Sequence, residues 1–295
     1  MSFNGFLNTF YNFSNLVFNK LKRVYQSSGF YEKKISKTSV NIFEYKPSPH
    51  ILASIIKYQK KKFKVEDFEI ESIWQNKVNS KEYKKLNNFF WFFSLDLKSS
   101  KKTTQRIITN WIYNNSKYND KTWEFDMTAK RIISWLSNHQ LTYENSDSEY
   151  KSMFDHMIQK QTNHLLIEIK SSKDIENKII GCAAIILVGL AYKIKKNYLE
   201  VGLNILKNNI KSLLDNQGCL KSRNIKQLVF YLKYLILIRE WFNESQINVP
   251  DHINETIYHL GQGYNLLWQS NNSDLLFNGN NISDNNELDN YLKRF

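Results

Sequence analysis

A chain of 295 residues with 42% hydrophobic and 15% aromatic residues can bury a sizeable core, which excludes an intrinsically disordered polymer. Three prolines and nine glycines leave few helix breakers, so long helices are favoured over a turn-rich sheet protein. A formal net charge of +13 suits an acidic sugar, nucleic acid or an anionic membrane face, although a Lys- and Asn-rich composition gives that charge without any partner.

In chain order, Phe3, Phe6, Leu7, Phe10, Tyr11, Phe13, Val17, Phe18 and Leu21 recur at helical spacing, followed by Lys20, Lys22 and Arg23 where cations suit the helix dipole. This amphipathic basic helix is expected to pack onto the rest of the chain, with a membrane or partner surface as the second reading. Its basic run follows its apolar residues, the reverse of a secretory signal, so the sequence alone reads as cytoplasmic. Tyr31 to Pro49 lacks a helical period and carries Ile35, Thr38, Val40 and Ile42, which predicts extended or irregular structure. The basic run Lys57 to Lys64 then leads into Val65, Phe68, Ile70 and Ile73, read as a short strand or hairpin. Residues 1–79 are therefore expected to form a small irregular or β-containing region.

From Ser80 the helical signal takes over. Ser80 is expected to cap a helix carrying Leu86, Phe89, Phe90, Phe93 and Leu97; Lys101 to Asn114 carries Ile107, Ile108, Trp111 and Ile112; Asp126 is expected to cap a helix with Ile132, Ile133, Trp135 and Leu136. Further helices are predicted at Tyr150 to Lys170, Asp174 to Lys193, Tyr198 to Leu214, Ser222 to Phe242 and Pro250 to Gln269, joined by connections short enough to make neighbours antiparallel. The longest apolar run, Ile179 to Tyr192, falls short of the roughly 18 residues that cross a bilayer, so no transmembrane segment is predicted. Its small residues Gly181, Ala183, Ala184, Gly189 and Ala191 suit a crowded inner layer. Cys182 in that helix and Cys219 in a turn read as free thiols, and a last short helix is expected at Glu287 to Phe295.

The succession of tryptophan-bearing helices at Trp74, Trp91, Trp111, Trp123 and Trp135, the turn Asp215 to Asn224, the restart Val249-Pro250-Asp251 and the closing Phe277-Asn278-Gly279 together resemble the helical domain of heparinase II/III family proteins. The resemblance covers most of Trp74 to Gly279 and rests on order and spacing. It implies an all-α, incomplete α/α toroid of antiparallel helices over residues 80–272, with 273–295 as the start of a truncated or missing β-sandwich domain. The chain stops where the family continues, so the expectation is either the helical half of a longer protein or a shortened member. The family resemblance also admits a periplasmic location. The implied partner is an acidic polysaccharide, with β-elimination of a uronate, a carbon–oxygen lyase reaction, if the domain is active. The alternative is a glycan-binding or scaffolding member that has lost the catalytic Tyr and His.

Eliminative cleavage needs a base for the proton α to the carboxyl group, a group that neutralises the carboxylate and an acid for the leaving oxygen. The resemblance places Asn177 at the neutralising amide, with Lys178 where a His commonly follows. It compares the Gly218 turn with the family's Asp-Gly-Gly-His turn, but here there is an extra residue, the His position falls on Cys219 or Leu220, and the Tyr position falls near Gln227. Tyr231, one helical turn further on the same face, is the phenol this sequence offers as a base; its simpler reading is a core aromatic. Asn177 has its own simpler reading as a surface residue at a helix start.

Lys221, Arg223 and Asn224 offer cationic and amide donors at a helix start, with a Ser222 N-cap among solvated cations as the plain alternative. Arg131 and Trp135 lie one turn apart and can present a guanidinium and an indole to a sugar ring, with Trp91 and Trp111 extending the wall, unless these residues are core. His252, Glu255 and His259 share a helical face without zinc-protease spacing, so neither a metal nor a cofactor is called for. A nucleic-acid-binding helical repeat is the least favoured class and would require a continuous Lys/Arg stripe on the convex face.

Overall fold

The computed structural model describes residues 3–38, 42–50, 79–96, 101–193, 197–268, 274–277 and 280–283, and these are mostly helical. Helices α1 (Phe3–Gln26) and α2 (Gly29–Ile35) precede α3 (Ser80–Asn87), a 3-10 turn at Phe90–Ser94, and α4 (Lys101–Asn115). Next come α5 (Phe125–Ser137), the short α6 (His139–Thr142), α7 (Ser148–Glu168) and α8 (Ile175–Ala191). The series closes with α9 (Tyr198–Leu213), α10 (Ile225–Glu244) and α11 (Asp251–Trp268). Strand β1 (Ile42–Phe43) pairs antiparallel with β2 (Tyr192–Lys193), and β3 (Asp274–Phe277) pairs antiparallel with β4 (Asn280–Ser283).

Helix α8 organises the packing because its sequence is apolar on nearly every side, so it can be stable only when covered all round. Helices α5, α7, α9 and α10 all pack against it, and α11 packs against α10. Gly189 allows the backbone of α9 to approach closely, since a Cβ there would lie 2.5 Å from the backbone nitrogen of Leu199. The amide of Gln227, at the start of α10, donates to the Glu176 carboxylate at the start of α8 at 3.3 Å, so the starts of α8 and α10 adjoin.

The N-terminal elements join this core. Tyr31 and Ile35 are fully buried, the Tyr31 hydroxyl meets His164 Nδ1 at 2.6 Å, and the Asn163 amide donates to the Ile35 carbonyl at 2.8 Å. Phe43 stacks on Tyr192 at 5.1 Å. The Glu244 carboxylate accepts from the Tyr45 hydroxyl at 2.6 Å and the Ser48 N–H at 3.1 Å, which fixes this segment to the C-terminal end of α10.

Several local expectations change. Tyr31 to Ile35 is helical, because the Ser28 side chain caps α2 and two core-facing residues four apart reward a helix; extended pairing is confined to Ile42–Phe43 within the described part of 31–49. The helix from Ser80 ends at Asn87 and is capped by Asn79 in a reciprocal box with Glu82. Phe89 then adopts φ 60°, and the chain tightens into the 3-10 turn. One helical stripe cannot bury Phe89, Phe90, Phe92 and Phe93 together, and the break lets all four enter the core. Helix α5 starts after Glu124 with Asp126 in its first turn, and α10 is capped by Asn224 rather than Ser222. The expected strand or hairpin after Lys57, Trp74, Asn278-Gly279 and the helix at Glu287 to Phe295 lie outside the described residues.

Candidate functional site

The turn between α9 and α10 is built around one carboxylate. Asp215 Oδ1 accepts the N–H groups of Gln217 and Cys219, both at 2.9 Å, and Oδ2 accepts from the Arg223 guanidinium at 2.8 Å. The Cys219 N–H, with those of Gln217 and the Arg223 charge, holds the Asp215 carboxyl below the usual carboxylate range. Arg223 also meets the Cys219 side chain, which with Asp215 raises its pKa further. A Leu214–Leu220 bridge closes the loop. Gly218 is required twice over: its φ is +77°, and a Cβ would lie 2.8 Å from Cγ of His259 on α11.

The turn delivers the chain into α10, where the Asn224 side chain accepts the N–H groups of Lys226 at 2.9 Å and Gln227 at 3.4 Å. Lys221 is exposed and its ammonium donates to the Ser212 carbonyl at 3.1 Å. On the neighbouring α8, Asp174 caps the start by accepting from the Glu176 and Asn177 N–H groups. Because Gln227 reaches Glu176, the structure brings Asn177, Gln227 and Asn224 to adjoining helix starts, with Lys221 and Arg223 exposed on the turn beside them. Asp174, Glu176 and Asp215 occupy the same end, so its field is mixed rather than purely cationic.

No protein-family model, curated protein or solved structure matches this chain. The chemistry of the site therefore rests on its own geometry.

Other candidates do not reach that surface. Tyr231 is 1% exposed, and its buried hydroxyl has no hydrogen-bond partner among the described residues. Burial, reinforced by Glu176 and Asp174, pushes its pKa up, the wrong direction for a tyrosine base. Arg131 and Trp135 are both fully buried, so the expected sugar-facing wall is core. Trp111 lies with them, packed edge-on against Trp135 at 5.5 Å, while Trp91 is only partly buried.

Arg131 instead ties elements together. It donates to Gln161 Oε1 (2.8 Å), the carbonyls of Asn87 (2.8 Å) and Thr122 (3.1 Å), and Thr128 Oγ1 (3.2 Å), with its guanidinium 4.0 Å from the Trp111 ring centre. Burial lowers its pKa to about 9, which leaves it charged at neutral pH. The face of α5 that seemed to present it outward carries Thr128, Ile132 and Trp135, all buried. That apolar company was the available signal.

Two depressions flank the Gly218–His259 contact. One, of about 190 Å³, is mainly apolar, with Leu220, Ile225, Leu228 and Leu260 below Arg223 and Cys219. The other, of about 640 Å³, is polar, with Lys207 and Lys211 facing Asp251, His252 and Glu255. His259 borders both, a position for which its sequence spacing gave no sign. Among the described residues no group of three or more His, Cys, Asp or Glu could hold a metal ion.

Proposed function

We propose that this chain is a heparinase II/III-like helical domain, arranged as part of an α/α toroid, that binds an acidic polysaccharide without cleaving it by itself. The toroid reading is supported by the contacts of α5 with α7, α8 with α9 and α10 with α11, and of α8 with both α5 and α10. The observation that carries the binding reading is the exposed turn bearing Lys221 and Arg223 beside the adjoining starts of α8 and α10, where Asn177, Asn224 and Gln227 offer amide donors. The bonds from Lys221 to Ser212 and from Arg223 to Asp215 are exposed, so a carboxylate or sulfate can exchange for them at small cost.

The enclosed Tyr231 argues against the lyase reaction, because a base must reach the proton it removes. Binding of heparin and polygalacturonate, with neutral dextran as the comparison, tests the reading. The Lys221→Glu/Arg223→Glu variant is expected to bind the acidic polymers at least about tenfold more weakly at low salt. Equal binding by variant and parent, or equal affinity for dextran, would remove this turn from recognition. Ultraviolet absorbance of the same mixtures should stay flat; a rise from unsaturated uronate would restore catalysis.

A further inference from the structure

The apolar side chains described on helix α1 point mainly away from the protein. Phe10, Phe13, Val17, Phe18, Leu21 and Val24 are 42–65% exposed. At 100° per residue they fall within an arc of roughly 140°, which Leu16, also exposed, widens to roughly 200°. The contacts with the body gather at one edge of that arc: Tyr25 packs edge-on against Tyr31 at 5.3 Å, and just beyond it Lys22 Nζ reaches Glu168 at 2.5 Å and Ser171 Oγ at 2.9 Å, while the Gln26 amide donates to Glu168 at 2.6 Å. Tyr118 donates to Gln26 Oε1 at 2.9 Å, completing a polar attachment. The expectation that this helix packs its apolar face onto the chain is therefore reversed for these described residues.

We propose that α1 lies in the plane of an anionic membrane surface, with these side chains inserted among the acyl chains just below the headgroups. Charge complementarity selects the occupant. Lys20 and Arg23 are exposed on α1, Lys33 and Lys34 are exposed on α2, and Phe30 beside them is 82% exposed. An aromatic and aliphatic stripe flanked by cations is the chemistry of an interfacial helix. No helix among the described residues is long and apolar enough to cross a membrane, so the contact is with one leaflet. The polar attachment through Lys22 and Gln26 holds the folded body at one edge of the apolar stripe and leaves the rest of the stripe free to face the lipid.

The test is cosedimentation of the full chain with vesicles of phosphatidylcholine alone and of phosphatidylcholine mixed with phosphatidylglycerol. Binding is expected to the mixed vesicles, weakened by salt. The Phe13→Glu/Leu21→Glu variant should lose it, and Lys20→Glu/Arg23→Glu should bind about tenfold more weakly. These positions are exposed, so unchanged circular dichroism is expected and separates lost binding from lost folding. Absence of binding to mixed vesicles, or binding that both variants retain, overturns the proposal. So does a dimer seen by light scattering that Phe13→Glu/Leu21→Glu dissolves, which would assign the face to a second copy of the chain.

Discussion

Replacing Arg131 by alanine separates a structural guanidinium from a ligand-binding one. The substitution removes four hydrogen bonds and the Trp111 contact and leaves Gln161 Oε1 and the Asn87 and Thr122 carbonyls without that donor. Charge-assisted bonds at about 1.5–3 kcal/mol each give a gross loss of roughly 6–12 kcal/mol. Relief of guanidinium desolvation returns several kcal/mol, so the net cost is about 3–5 kcal/mol, a large share of a typical domain's stability. Urea denaturation followed by tryptophan emission reads this directly, because Trp111 and Trp135 lie in the affected core. Arg131→Lys should recover only part of the loss, since one ammonium cannot reach all four acceptors. A loss below about 1 kcal/mol, accompanied by weakened polysaccharide binding, would refute the structural assignment and return Arg131 to the groove.

Further outcomes follow from other buried or strained positions. His164 is fully enclosed between the Tyr31 hydroxyl and the Trp123 carbonyl, and burial pushes its pKa down to about 3. Below the ordinary value near 6.5 the unfolded chain binds a proton that the folded chain refuses, so stability falls by about 1.4 kcal/mol per pH unit from 6.5 towards 3. His164→Gln should flatten that slope relative to the parent in denaturation measured across this range, and an unchanged slope would exclude His164 as its source. Gly218→Ala should cost about 1–3 kcal/mol because of its positive φ and the His259 contact. Adding His259→Ala should restore only the contact part, which a double-mutant cycle in thermal denaturation resolves. A thiol reagent should label exposed Cys219 in the native chain, whereas Cys182, enclosed and with its pKa pushed up to about 12, should react only on unfolding. Equal labelling rates would contradict the packing of α8.

Apart from the short α6, the helices from α4 onward were legible because their apolar residues recur every three or four positions and polar residues mark their starts, as at Asp174 before α8. Asn177 and Gln227 were singled out from chain order and Asn224 as an amide donor at a helix start, and a hydrogen bond between α8 and α10 joins their neighbourhoods. Periodicity stops short of deciding which side of a stripe is buried, since that depends on the partner. Arg131 and Trp135 share a face as their spacing requires, but the packing of α3, α7 and the Thr122 segment around α5 turns that face inward. For α1 the same amphipathic pattern ends in the opposite environment, because Lys22 and Gln26 bind Glu168 on the polar side and leave the apolar side uncovered. The sequence by itself determined helix type, the approximate extent of the main helices and the amphipathic stripe of α1, which are local properties of side-chain spacing. Tertiary structure alone decided which stripes became core, which tyrosine was enclosed and which helix starts came together, because burial is settled by distant parts of the chain.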